Sequence, residues 1–186
     1  MNKTSSLVLG LGGVGGVVAR ELRDRLAGGP QARTARFLFF DAPGPDGPPS
    51  TLATQGHPIV ESIPLSMEVL RDVLAGAQDW ADYLPGLPAV ERGQMLEELR
   101  PYGTAGYRCL GRIALLRSAE VIDRIFRRHL HELQENAPVG FTDGILIAGA
   151  GGGLGSSILA DLTFLLLRLA ATTSRTACLI LPPPGE

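Results

Sequence analysis

The sequence predicts an α/β fold: a three-layer, mostly parallel sheet with helices on both faces. Three observations carry this. Continuously apolar runs of strand length stand at residues 5–10, 36–41, 145–148 and 176–181. Glycine-rich breaks follow the first and third of these runs, and each break passes straight into a helical stretch. The opening order of strand, glycine loop, helix and strand is that of a βαβ unit, whose strands are parallel neighbours.

Composition bounds the rest. With 186 residues, 45% of them apolar, the chain makes one domain with a sizeable core. The 24 glycines and 14 prolines fall short of a disordered composition. A net charge of −2 advertises neither a nucleic-acid nor an anionic-membrane partner. Cys109 and Cys178 stand far apart in apolar text, making neither a disulfide framework nor a metal site, and a reducing cytoplasm fits them. Residues 1–6 lead directly into a strand without a signal-peptide core. The longest apolar stretch, 157–171, is interrupted by Asp161 and Arg168 and is too short to span a bilayer. The expectation is a soluble, cytoplasmic protein.

The first strand, 5–10, is apolar throughout and so reads as buried on both faces. A helix over 14–26 follows, with Val17, Val18, Leu22 and Leu26 toward the core, and Gly28, Gly29 and Pro30 end it. The second strand, 36–41, closes on Asp41. Residues 42–50 are a Pro/Gly loop, and 42–101 reads as a variable insertion with a short strand at 59–65 and helices at 68–76 and 90–99. Trp80 and Tyr83 in it read as local core anchors rather than base-stacking residues. Residues 101–111 form another glycine-bearing loop. A single helix over 112–134 follows it, with Ile113, Leu116, Ile122, Ile125, Phe126, Leu130 and Leu133 on its apolar side. Arg117, Arg124, Arg127, Arg128 and His131 make its solvated side; His129 and His131 lack a second ligand pair at zinc spacing and read as ordinary surface or satisfied residues. A chain that stops after the strand at 176–181, without the next helix of an α/β unit, suggests a C-terminally truncated domain.

The motifs that carry chemistry are the glycine breaks. Gly10, Gly12 and Gly15 match G-x-G-x-x-G between a strand and a helix, with Gly13 and Val14 inside the motif. Asp41, 26 residues after Gly15, ends the next strand, where an acid can hold a ribose hydroxyl; a solvent-facing strand-end acid is the alternative. These features alone suit a Rossmann-like domain for NAD or FAD, or an ATP-dependent adenylating enzyme. The second break is richer: Gly149, Gly151, Gly152, Gly153 and Gly155 fall in seven positions before Ser156 and Ser157. Glycines here let backbone N–H groups turn toward a ligand that no Cβ holds off, and the helix that follows aims its positive end at the same spot. That combination makes an anion site, with a nucleotide phosphate as its natural occupant. Ser156 and Ser157 stand where hydroxyls can cap the helix or meet phosphate oxygens. A tight turn packed with glycines is the plainer alternative. Two rich loops about 140 residues apart, with residues 103–111 between them, suit a di- or triphosphate better than one pyrophosphate bridge.

This arrangement resembles the GTP-binding domain of the tubulin and FtsZ superfamily. Gly151, Gly152, Gly153, Leu154, Gly155, Ser156 and Ser157 are similar to its GGGTGSG or GGGTGTG signature. Gly10, Gly12, Gly13, Val14 and Gly15 resemble its N-terminal glycine loop, and Asp41 falls where its second loop begins. Gly103, Thr104, Ala105 and Gly106 resemble its third loop, which meets the terminal phosphate, and the wording around Arg108, Gly111 and Arg112 looks closest to the bacterial tubulin-like branch. The chain departs from the pattern at Leu154, where the family has threonine, and at Ser157, which replaces the last glycine. The resemblance implies a GTP- or GDP-binding domain spanning 1–186, with Mg2+ held mainly by phosphates and water. It further implies head-to-tail homo-oligomers, and a GTPase only if an acidic loop outside this chain completes the site. A nucleotide-free scaffold kept for assembly is a third possibility.

Overall fold

The computed structural model describes residues 5–41, 59–64, 71, 72, 74, 89–98, 104, 106–136, 142–169 and 174–181. The expected loop at 42–50, Trp80, Tyr83, Gly103 and Ala105 lie outside the described residues.

The chain runs through β1 (Ser5–Leu11), α1 (Gly12–Leu26), a 3-10 turn (Pro30–Arg33), β2 (Ala35–Asp41), β3 (Ile59–Pro64) and α2 (Ala89–Glu98). It continues through α3 (Arg108–Arg117), α4 (Ala119–Asn136), β4 (Thr142–Gly149), α5 (Gly153–Leu169) and β5 (Ser174–Ile180). The strands form one five-stranded sheet in the order β3-β2-β1-β4-β5. Every pairing is parallel, and Leu9 at the centre of β1 lies opposite Leu38 on one side and Leu146 on the other.

Strand periodicity divides the core into two layers. Leu7, Leu9, Leu11, Leu38, Phe40, Leu146 and Ala148 face one way and pack under α3, α4 and α5 through Leu110, Ile113, Phe126, Ile158 and Leu162. Phe40 and Phe126 meet edge to face with ring centroids 5.8 Å apart. Val8, Phe37, Phe39 and Ile147 face the other way, under Ala19, Leu22 and Leu26 of α1. The two faces follow from handedness. The chain crosses from β1 to β2 through α1, and from β4 outward to β5 through α5. Right-handed crossovers in opposite directions put those helices on opposite faces, so the order reverses between β1 and β4. A parallel Rossmann-like α/β sheet with helices on both faces is therefore the architecture.

Two expectations are corrected, and two further placements are decided by the fold. The helix expected over 112–134 is two helices that start earlier, at Arg108, and break at Ser118, whose N–H bonds the carbonyls of Ala114 (3.2 Å) and Leu115 (3.0 Å). The break lets α3 pack against α5 while α4 lies over the sheet. In α1, Val17 and Val18 are 62% and 40% exposed, and Gly12, Gly15, Gly16 and Ala19 are buried in their place. Gly15 sits so near the carbonyl of Ile147 that a Cβ would collide with it, and this close seating turns the valines outward. The last strand is exposed along Thr176, Ala177, Cys178 and Leu179, because β5 is the outer strand of the sheet. An apolar run records that a strand pairs, not that a neighbour covers it. His129, for which the sequence leaves a surface or a satisfied setting open, is only 3% exposed and takes the satisfied one.

His129 belongs to a polar seam between α4 and the β2–β3 edge. Its Nε2 lies 2.6 Å from Glu61 Oε2, and Arg128 bonds the same carboxylate. Arg36, buried on β2, approaches Glu132 at 3.8 Å. Burial pushes the Glu61 carboxyl up, but the hydrogen bonds and charges of His129 and Arg128 outweigh it and hold its pKa below the usual carboxylate range. Burial likewise lowers the pKa of Arg36, against the pull of Glu132.

A folded-state pKa below the unfolded one means Glu61 contributes stability above the unfolded carboxylate value, about 4.3, and that this is lost as pH falls through the folded value. Chemical denaturation of Glu61→Gln from pH 7 to 3 is expected to show a flatter acid limb than the wild type. At neutral pH the variant is expected to lose about 1–3 kcal/mol, the cost of leaving a buried partner unpaired. An unchanged acid limb would show that the seam does not set it.

Candidate anion-binding site

The reversal of strand order puts the β1–α1 and β4–α5 connections side by side at the carboxyl edge of the sheet. They touch. Gly12 adopts φ +67°, and a Cβ there would stand 2.9 Å from the amide nitrogen of Gly155. A Cβ on Gly155 would in turn strike the carbonyl of Leu11. The third loop closes in from the other side: a Cβ on Gly153 would collide with the Thr104 hydroxyl and with Gly106, whose carbonyl carbon would be 2.5 Å away. A Cβ on Gly111 would strike the Ser157 hydroxyl, so α3 and α5 are seated against each other. The first turn of α5 thus lies between the first turn of α1 and the segment that opens α3.

The sequence-expected residues divide by role. Gly10, Gly12, Gly15, Gly153 and Gly155 are glycines because the backbone packs through them; at Gly10 a Cβ would be 2.9 Å from Ala19 and from Phe39. Gly13 and Gly152 are different. Both are exposed, a Cβ on Gly13 would meet nothing within 4 Å, and one on Gly152 would meet only the Gly149 carbonyl at 3.8 Å. Packing does not require glycine at either. Gly151 is exposed beside them. Val14 is 50% exposed and lies over Gly149. Asp41 is half-buried at the end of β2 and already engaged within the protein.

Three side chains behave differently from expectation. Leu154 is 6% exposed and belongs to the core under α3, so only its backbone remains near the loop. The Ser156 hydroxyl donates to the Gly152 carbonyl, and Ser157 donates to the Leu154 carbonyl at 2.7 Å. Neither serine caps α5; both return their hydroxyls to carbonyls one turn back, as serine inside a helix does.

Electrostatics follow from what the helix ends lack. The first turns of α1, α3 and α5 contain no acidic residue, and the N-caps of α1 (Leu11) and α3 (Tyr107) make no side-chain capping bond. Away from this edge, α2 and α4 carry Glu91 and Glu120 in their first turns. Three positive helix ends, with N–H groups unmatched by carboxylates, therefore meet over one small area, which favours a bound anion. One arginine lies on α1 and another opens α3. Arg20 stacks 5.2 Å over the Phe39 ring, and Arg108 donates to the Ala150 carbonyl at 3.2 Å. No group of three His, Cys, Asp or Glu residues that could hold a metal ion occurs among the described residues. No helix among them is long and apolar enough to cross a membrane. A separate apolar groove of about 210 Å3 lies between the α3–α4 turn and α5, lined by Leu116, Ile122, Phe164 and Leu165.

The division of glycines predicts opposite mutational outcomes. Gly153→Ala and Gly155→Ala are expected to destabilise by about 1–3 kcal/mol, the usual result of forcing atoms into a packed site. Gly13→Ala is expected to stay within ~0.5 kcal/mol of the wild type, or to gain from better helix propensity. Urea denaturation of the three variants measures both; equal losses at all three positions would contradict the packing described.

Comparison with known proteins found no protein-family model and no curated protein that matches this chain.

Proposed function

We propose that this chain is a nucleotide-binding domain of the tubulin and FtsZ type, holding the phosphates of GTP or GDP across the first turns of α1, α5 and α3. One observation carries the proposal: three helix N-termini, none with an acid in its first turn, converge at the switch point of a parallel sheet. The open glycines support it, since Gly13 and Gly152 leave amide-bearing backbone accessible where packing would have allowed a side chain. Gly12, Gly13, Val14 and Gly15 would cradle the polyphosphate from one side, Gly151, Gly152, Gly153, Gly155 and Ser156 from the middle, and Thr104 and Gly106 from the other. Leu154 would contribute its amide alone. Mg2+ would bind through phosphate oxygens and water, with no protein cage needed. Head-to-tail self-association, GTP hydrolysis completed by a neighbouring subunit and a cytoplasmic location are parts of the same proposal and rest on the resemblance.

A dinucleotide-binding or adenylating domain is the second reading, favoured by the strand order and by Asp41 at the tip of β2. It requires Asp41 on a ribose and the loop at Gly151 serving packing or substrate.

Thermal denaturation with added ligand separates the two. GTP and GDP are expected to raise the melting temperature more than ATP or NAD, and Gly152→Val is expected to reduce that shift while leaving the unliganded melting temperature unchanged. Stabilisation by NAD or ATP alone, abolished in Asp41→Ala, would establish the second reading. No shift with any of the four would remove both.

A further inference from the structure

We infer that the apolar groove between the α3–α4 turn and α5 is the contact by which two copies of this chain pair about a two-fold axis, each placing its Phe164 ring in the other's groove. The groove holds about 210 Å3, with Leu116 and Ile122 on one wall and Leu162 and Leu165 on the other. That is below the ~300–1,000 Å3 of a site for a small organic ligand, and it suits one large apolar side chain. Such a side chain stands beside it. Phe164 lines the groove yet is 65% exposed, and Leu167, almost one turn on along α5, is exposed with it. An exposed aromatic ring next to an apolar hollow gives one patch both halves of a contact, which is what a two-fold interface requires. A patch made for a different partner needs only one half.

Charge selects the same occupant. Of the aspartates at this surface, Asp161 is held by Arg112 at 3.1 Å and Asp123 by Arg127 at 2.6 Å. Arg168 lines the groove and is exposed; it feels the charge of Asp123 but makes no ion pair among the described residues. Glu120, exposed beside Ala119 of the groove wall, makes none among them either. The patch thus presents one cation and one anion that its own arginines and aspartates do not neutralise. Turned about a two-fold axis, it brings Arg168 of each copy to Glu120 of the other, so the contact is complementary in charge as well as in shape.

The pairing surface is separate from the phosphate edge. Asp161 and Arg168 stand eight and fifteen residues past Gly153, about 12 and 22 Å along α5 from the glycine loop. The contact therefore needs no nucleotide. Being closed by its own symmetry, it stops at two copies, unlike a head-to-tail contact.

Sedimentation equilibrium of the chain without nucleotide, across a wide range of concentration, tests this. The wild type is expected to pass from one copy to two as concentration rises. Phe164→Ala is expected to weaken pairing on the order of tenfold or more, as for a central aromatic anchor, with the melting temperature of the monomer unchanged. Glu120→Arg and Arg168→Glu are each expected to weaken it, and the two changes in one chain to restore it, because the reversed charges meet again across the axis. A wild type that stays monomeric would overturn the inference and leave the groove to another partner. A dimer that all three single variants leave intact would overturn it by placing the contact elsewhere, as on the exposed strand β5. Assemblies that grow beyond two copies would overturn it by showing a contact that does not close.

Discussion

The contact of backbone on backbone between Gly12 and Gly155 is the constraint on which the rest of the structure depends. Two helices on opposite faces of the sheet begin within van der Waals reach of each other there. That is possible only at the reversal of strand order, between β1 and β4, and only without side chains at the crossing. Gly15 against Ile147 and Gly153 against Thr104 and Gly106 continue the same contact along the edge. The glycines first bring the helix ends together; an electropositive patch is the physical consequence. A bound anion would answer the charge of three helix ends that no acidic residue in their first turns offsets.

This separates two functions of glycine that a motif merges. Five of the signature glycines are explained by packing, and a domain binding nothing would need them as well. Gly13 and Gly152 are not so explained, and they lie at the mouth rather than in the joint. Backbone open to a ligand is therefore found at the least structurally constrained members of the motif. The side chain of Leu154 points into the core beneath α3, so it does not cover the backbone at the loop.

The polar seam of Glu61, His129, Arg128, Glu132 and Arg36 lies apart from that edge, joining α4 to the β2–β3 side of the sheet. Its charges oppose one another across a partly buried boundary, so it positions α4 by direction as well as by area. Phe126, one turn before His129 along the helix, packs edge to face on Phe40 and supplies the apolar part of the same contact. Secondary structure and registration of α4 are thus coupled to β3, an element that lies within the 42–101 region.

Sequence by itself determined the elements whose signal is local. Apolar runs place β1, β2 and β4, because a parallel strand covered on both faces admits little else, and glycines between strand and helix mark where the chain must turn closely. G-x-G-x-x-G and the loop from Gly149 to Gly155 were legible as a candidate site for the same reason. Tertiary structure alone decided what depends on neighbours distant in the chain. The break at Ser118, the outward turn of Val17 and Val18, the exposure of β5 and the burial of His129 each follow from which surface an element meets, and periodicity carries no record of that. The approach of Gly12 to Gly155, and the placing of Arg108 across from Ala150, belong to the same class: loops well over a hundred residues apart for the first pair, and 42 for the second, become neighbours only when the sheet orders its strands.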